Sequence, residues 1–191
     1  MAETSSTVAG SPARRSLLAP ARRWPTWLAL GVVVLSVLDM GDARGQAMIV
    51  FLAALIYLGT AVLDRPGAVW VLFGASVVAV TLLKVLGLDL WPALVGGAVS
   101  IAVLGVVGGL LRRPRLAAAQ VPAMLVFGGL SLLALSLSPQ VGGYLVAAAL
   151  LGHASLDVIV WRANKVVARS MAEFCMVLDF TLGAAIIVIV S

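Results

Sequence analysis

Four ionisable side chains interrupt two otherwise apolar stretches near the carboxyl end of the chain: His153, Asp157, Glu173 and Asp179. His153 is the single histidine, and it precedes Asp157 by four residues, so the two side chains share one face of a helix. One imidazole and three carboxylates are ligands that suit Mn, Fe or Zn. The same groups can pass a proton from one to the next. We therefore take these four residues as the candidate catalytic residues and as the candidate ligands of one divalent metal ion.

A group of basic and amide side chains lies between the two stretches: Arg162, Asn164, Lys165 and Arg169. Basic clusters of this kind beside a membrane helix bind phosphate groups or anionic lipid headgroups. We therefore predict that these four residues bind a substrate or a headgroup, and that an anionic lipid or a phosphate-bearing ligand is the partner.

The composition of the 191-residue chain indicates that these groups are held in a membrane. Hydrophobic residues make up 62% of the chain and charged residues 11%, whereas soluble domains carry about 25% charged residues. The mean hydropathy of +1.14 is too high for one aqueous core of this size, so lipid must be the solvent for most of the chain. The net charge of +5 sits in short clusters between apolar runs, which argues against a nucleic-acid partner. The single cysteine, Cys175, excludes an intrachain disulfide.

Seven apolar segments each approach the roughly 20 residues that a helix needs to cross about 30 Å of hydrocarbon. Helices are required because unpaired backbone amides in lipid are too costly. We thus predict an all-α fold, a polytopic transmembrane helical bundle in a single domain over residues 24–191, preceded by a disordered, basic cytoplasmic tail over residues 1–23. The predicted spans are Trp24–Met40, Ala47–Leu63, Ala68–Val85, Leu90–Leu111, Leu116–Leu137, Val141–Trp161 and Met171–Val190.

The distribution of basic residues predicts the orientation, with the N-terminus in the cytoplasm and the C-terminus outside. In that orientation, eleven of the thirteen Lys and Arg residues lie on the inner side: Arg14, Arg15, Arg22, Arg23, Arg65, Arg112, Arg113, Arg115, Arg162, Lys165 and Arg169. The first predicted span has the weakest support as a membrane-crossing helix. The small residues after it fit a signal-peptide cleavage site, and cleavage there would leave six spans. The composition favours a multi-pass protein of a bacterial plasma membrane.

The hairpin of the last two spans brings the candidate site residues to matching depths. His153 lies eight residues before Trp161, and Asp179 lies eight residues after Met171, so each is about 12 Å from the predicted inner end. Asp157 and Glu173 form a shallower layer. We therefore expect a polar site in the cytoplasmic half of the sixth and seventh helices.

Three functions fit this pattern. The first is a metal-dependent, membrane-embedded enzyme or binding protein for a lipid-like substrate, which the one-sided site and its basic rim favour. The second is a small proton- or cation-coupled transporter. The third is a helical structural subunit without chemistry, in which Asp157 and Glu173 form ion pairs with Arg162, Lys165 or Arg169 and His153 bonds to Asp179.

Overall fold

The computed structural model describes residues 23–191, and over this range the chain is helical, as predicted. Apart from Arg23, the predicted tail lies outside the described residues. The seven longer helices are α1 (Trp24–Leu38), α2 (Ala47–Leu63), α3 (Val69–Val85), α4 (Leu90–Val107), α5 (Gln120–Ser136), α6 (Pro139–Ala163) and α7 (Arg169–Val190).

Six helical stretches are long and apolar enough to cross a membrane, which suggests a multi-pass membrane protein. They are Ala43–Leu63, Pro66–Val85, Leu90–Val107, Arg115–Ser136, Pro139–Ala163 and Arg169–Val190. The remaining helix, α1, is apolar but has only 15 residues.

Local sequence explains where these helices begin and end. Asp64 and Asn164 end α2 and α6 in the left-handed conformation, with φ of 55° and 51°. α6 begins two residues before the predicted span because Pro139 occupies its first turn, where no amide hydrogen is needed. α4 ends four residues earlier than predicted, because Gly109 adopts a φ of 80° that an α-helix cannot contain.

The centre of the bundle is formed by α2, α6 and α7. Eleven of the seventeen residues of α2 are buried, and they include its whole segment 56–61, so α2 is enclosed on all sides. α6 and α7 form a hairpin that is closely packed at Gly183. A β-carbon there would lie 3.2 Å from the Ala147 carbonyl oxygen and 3.3 Å from Leu150 Cβ. By contrast, α3 and α4 bury few of their residues and lie at the periphery.

The connection between α1 and α2 is fixed to the start of α6 by Arg44. Its guanidinium donates to Asp42 Oδ2 at 2.7 Å and to the Leu137 carbonyl at 2.7 Å. The side-chain hydrogen bonds from Arg44 hold the pKa of Asp42 below its usual range. A β-carbon on Gly142 would clash with the Ala134 carbonyl and lie 2.8 Å from the Arg44 side chain, so this approach requires glycine.

Candidate functional site

An imidazole and two carboxylates meet at the centre of the bundle. His153 and Asp157 project from the same face of α6, and Asp179 faces them from α7. His153 Nδ1 lies 2.8 Å from Asp179 Oδ2 and 3.4 Å from Asp157 Oδ2. All three residues are completely buried. Nδ1 is therefore hydrogen-bonded to Asp179 and lies within ion-pair distance of Asp157, and we call these three residues the His–Asp–Asp cluster.

A residue from α2 completes the surroundings of the cluster. The Tyr57 hydroxyl donates a hydrogen bond to Asp157 Oδ1, and the whole side chain is buried. The rings of Tyr57 and Phe127 stand edge-to-face to the His153 ring, with centroids 5.2 and 5.1 Å away. The imidazole is thus held between two aromatic rings, which fix its orientation. The sequence analysis did not select Tyr57. Its signal was a phenol hydroxyl in the middle of an apolar span, where a buried hydroxyl needs a partner.

Each member of the cluster keeps one buried polar atom without a hydrogen-bond partner: His153 Nε2, Asp157 Oδ2 and Asp179 Oδ1. Other buried polar groups of the described chain differ in this respect. The hydroxyls of Thr60 and Ser131 donate to carbonyls one turn earlier in their own helices. Unpartnered polar atoms in a buried site are costly, so the cluster has the capacity to accept a further ligand.

The cluster has the composition and spacing of a metal site. One ligand atom from each of the three residues lies within 4.8 Å of the others, so small side-chain rotations bring all three to one ion. A nitrogen and two carboxylate oxygens suit Mn, Fe or Zn. The Tyr57 hydroxyl then serves as the outer partner that orients the Asp157 carboxylate.

Glu173, which the sequence analysis grouped with these ligands, lies apart from them. Its Oε1 accepts hydrogen bonds from the Thr26 hydroxyl at 2.6 Å and from Arg23 at 3.3 Å, so it holds α1 against α7. Asp157 lies six residues before the end of α6 and Glu173 lies four residues after the start of α7, yet their partners are on different helices, α2 and α1.

The basic rim is likewise separate from the cluster. Arg162, Asn164, Lys165 and Arg169 are all exposed at the end where α6 stops and α7 starts. The Arg169 guanidinium stacks over the Trp161 ring at 5.7 Å. Among the described residues, neither these basic side chains nor any other Lys or Arg forms an ion pair with the cluster. Of the contacts expected for a purely structural hairpin, the bond between His153 and Asp179 is formed, whereas the ion pairs of Asp157 and Glu173 with these basic residues are not.

The helix bounds set the depth of the cluster. Asp179 lies ten residues after the first residue of α7 and eleven before its last residue. At 1.5 Å per residue, it is about 15 Å from either end of the helix. Asp179 therefore lies near the middle of α7, deeper than the 12 Å expected from the shorter predicted span, whereas His153 and Asp157 lie ten and six residues before the end of α6.

Comparison of the chain with protein-family models, with curated proteins and with solved structures finds no match.

Proposed function

We propose that this chain is a multi-pass membrane protein that binds a divalent transition-metal cation at His153, Asp157 and Asp179 and carries it across the membrane in exchange for protons. The observation that supports this proposal is the buried His–Asp–Asp cluster, in which every member has an unpartnered polar atom. A single cation at the centre of the cluster satisfies the carboxylate oxygens that the protein itself leaves without partners.

Charge balance supports a divalent ion. With both carboxylates ionised and the imidazole neutral, the cluster carries two negative charges, and no Lys or Arg of the described chain pairs with it. A net charge in the hydrocarbon region is expensive. Neutrality therefore takes either two protons or one divalent cation, so binding of the cation releases protons.

The depth of the cluster favours transport. Carriers hold their cargo near the middle of the membrane, where it can be reached alternately from both sides. Asp179, about 15 Å from either end of α7, fits this arrangement. We further propose that α1 to α7 make seven crossings of a bacterial plasma membrane, with the N-terminus in the cytoplasm, because eleven of thirteen basic residues then lie inside.

A lipid-directed function is the second candidate. An apolar cavity of about 230 Å³ between α1, α2, α3 and α7 reaches Tyr57 and Cys175, and it is wide enough for part of an acyl chain. Arg162 and Arg169 are exposed at one end of the bundle, where they can bind an anionic headgroup. The complete burial of the His–Asp–Asp cluster, however, suits a small cation better than the reacting group of a lipid.

Metal binding by the purified protein tests the proposal. Metal-stripped protein in detergent is equilibrated with Mn²⁺, and we expect about one ion per chain and release of about two protons per ion in weak buffer. The two protons compete with Mn²⁺ for the cluster. At pH values where the metal-free cluster holds both protons, the Mn²⁺ affinity therefore falls about a hundredfold for each unit by which the pH is lowered. In proteoliposomes, Mn²⁺ uptake accompanies proton movement in the opposite direction.

Asn substitutions supply the controls. Asp157→Asn and Asp179→Asn keep the shape of the side chain but remove a charge, so both should abolish binding and uptake. The matched variant Asp89→Asn changes an exposed helix cap outside the cluster and should bind as the native chain does. Full affinity in Asp179→Asn, or a folded native chain that retains no ion, would rule out the metal site. Activity on an anionic lipid without metal binding would favour the second candidate.

A further inference from the structure

A cavity lies beside the ends of α2 and α6 and the connection between α4 and α5. Its volume is about 170 Å³, and four of its ten lining residues are polar: Thr60 and Asp64 at the end of α2, and Asn164 and Lys165 after α6. The 230 Å³ cavity on the other side of α2 is lined almost wholly by apolar side chains. Two other cavities also have polar side chains in their lining, Ser155 and Thr181 in one between α6 and α7, and Asp42 and Gln140 in one at the start of α6.

Helix spacing relates this cavity to the hydrogen bond between Tyr57 and Asp157. Tyr57 and Asp64 are seven residues apart, as are Asp157 and Asn164. Seven residues make two helical turns, so each pair lies on one face, about 10 Å apart along its helix. Thr60 is only three residues, about 4.5 Å, from Tyr57. The cavity thus ends about one turn from the cluster.

We propose that this cavity is the aqueous path by which the cation reaches the His–Asp–Asp cluster from one side of the membrane, and that Thr60 separates the two. The inference rests on the proposed cation-binding function and adds its access route. Thr60 is completely buried, and its hydroxyl is bonded to the Ile56 carbonyl. Thr60 is therefore a small, buried side chain at the wall of the cavity, and a larger side chain there should narrow the path.

The charges at the mouth of the path set the rate of access. Lys165 carries a positive charge into the lining, and the Asp64 carboxylate is opposed by Arg113 at 3.7 Å. A cation approaching the cavity is thus repelled by Lys165 and only weakly attracted by Asp64. Reversing the charge at position 165 should speed the approach of Mn²⁺ without altering the cluster.

Thiol labelling tests the path in the absence of metal. In a Cys175→Ala background, which removes the only native cysteine, Thr60→Cys should react with a water-soluble methanethiosulfonate. Ser131→Cys is the matched control. Ser131 is equally buried, has the same hydrogen bond to a carbonyl one turn earlier, and does not line this cavity. Equal protection of both cysteines would overturn the proposal.

Binding kinetics test the same path with Mn²⁺ as the probe. Stopped-flow measurements should show that Thr60→Leu slows association by about tenfold or more. Lys165→Glu should speed association by about tenfold at low salt, with the gain lost at high salt. In both variants the equilibrium affinity should stay that of the native chain, because neither residue is a ligand. Unchanged association rates in both would contradict the access route even if Mn²⁺ binds normally.

The experiments distinguish failure of the cation-binding function from failure of the access route. Absence of Mn²⁺ binding in the native chain would refute the cation-binding function, while the labelling of Thr60→Cys would still report on the cavity. Normal Mn²⁺ binding with an unreactive Thr60→Cys would leave the cluster as the cation site and refute the route.

Discussion

Replacing Tyr57 with phenylalanine removes one hydroxyl and leaves the aromatic packing in place. That hydroxyl is the only donor to Asp157 Oδ1 in the described chain, and Asp157 Oδ2 is already without a hydrogen-bond partner. A hydrogen bond to a charged group contributes about 1.5–3 kcal/mol, so the free energy of unfolding should fall by about that amount. The variant Tyr57→Phe should also bind Mn²⁺ about 10- to 100-fold more weakly, the usual effect of losing an outer partner of a metal ligand.

The assays are reversible denaturation in mixed micelles and equilibrium dialysis with Mn²⁺, each run on metal-stripped protein. Tyr144→Phe is the matched control, because Tyr144 is exposed on α6 and its hydroxyl lies 3.4 Å from the Val190 carbonyl. It should leave both quantities unchanged. If Tyr57→Phe behaves like Tyr144→Phe, the hydroxyl does not support Asp157. If only stability falls, Asp157 is buried for structural reasons and the assignment of Tyr57 as an outer partner is refuted.

Two further substitutions test how the helices around the cluster are held. Gly142→Ala should destabilise the protein by about 1–3 kcal/mol, since its new methyl group meets a backbone carbonyl and the Arg44 side chain. Gly129→Ala, which meets open space, should be neutral or stabilising by about 0.5–1 kcal/mol in the same denaturation assay. Glu173→Ala should lower stability by about 0.5–1.5 kcal/mol through the loss of its bonds to α1. The same variant should leave the Mn²⁺ affinity unchanged. A loss of affinity would indicate that Glu173 is a metal ligand, as the sequence predicted.

The sequence predicted the helical regions well because hydrophobic runs and breakers act locally. Pro139, Asp64 and Asn164 mark helix ends that the neighbouring residues alone determine. The end of α4 was less predictable. The run from Val107 to Leu111 is apolar throughout, and only the left-handed conformation of Gly109 ends the helix early.

The candidate site was predictable to the extent that it lies within one hairpin. His153 and Asp157 share a face through their four-residue spacing, and matching depths on neighbouring helices brought in Asp179. The same reasoning failed for Glu173, because six residues from Asp179 correspond to about 120° around α7, which turns the side chain toward α1. Tyr57 was missed because its role depends on which face of α2 meets α6, and that is a property of tertiary packing.

A purely structural role is a weak explanation for the cluster. The hairpin of α6 and α7 is already held by close packing at Gly183 and by the apolar core around Leu150 and Leu182. Apolar side chains of similar volume would join the same helices at least as stably, since replacing a buried ion pair in this way is often neutral or stabilising. A structural cluster would also be expected to satisfy its own polar atoms, whereas His153 and both of its carboxylate partners leave one atom each without a hydrogen-bond partner. These observations support the proposed cation site, because the charge, the donor types and the spacing of the three residues fit a divalent cation.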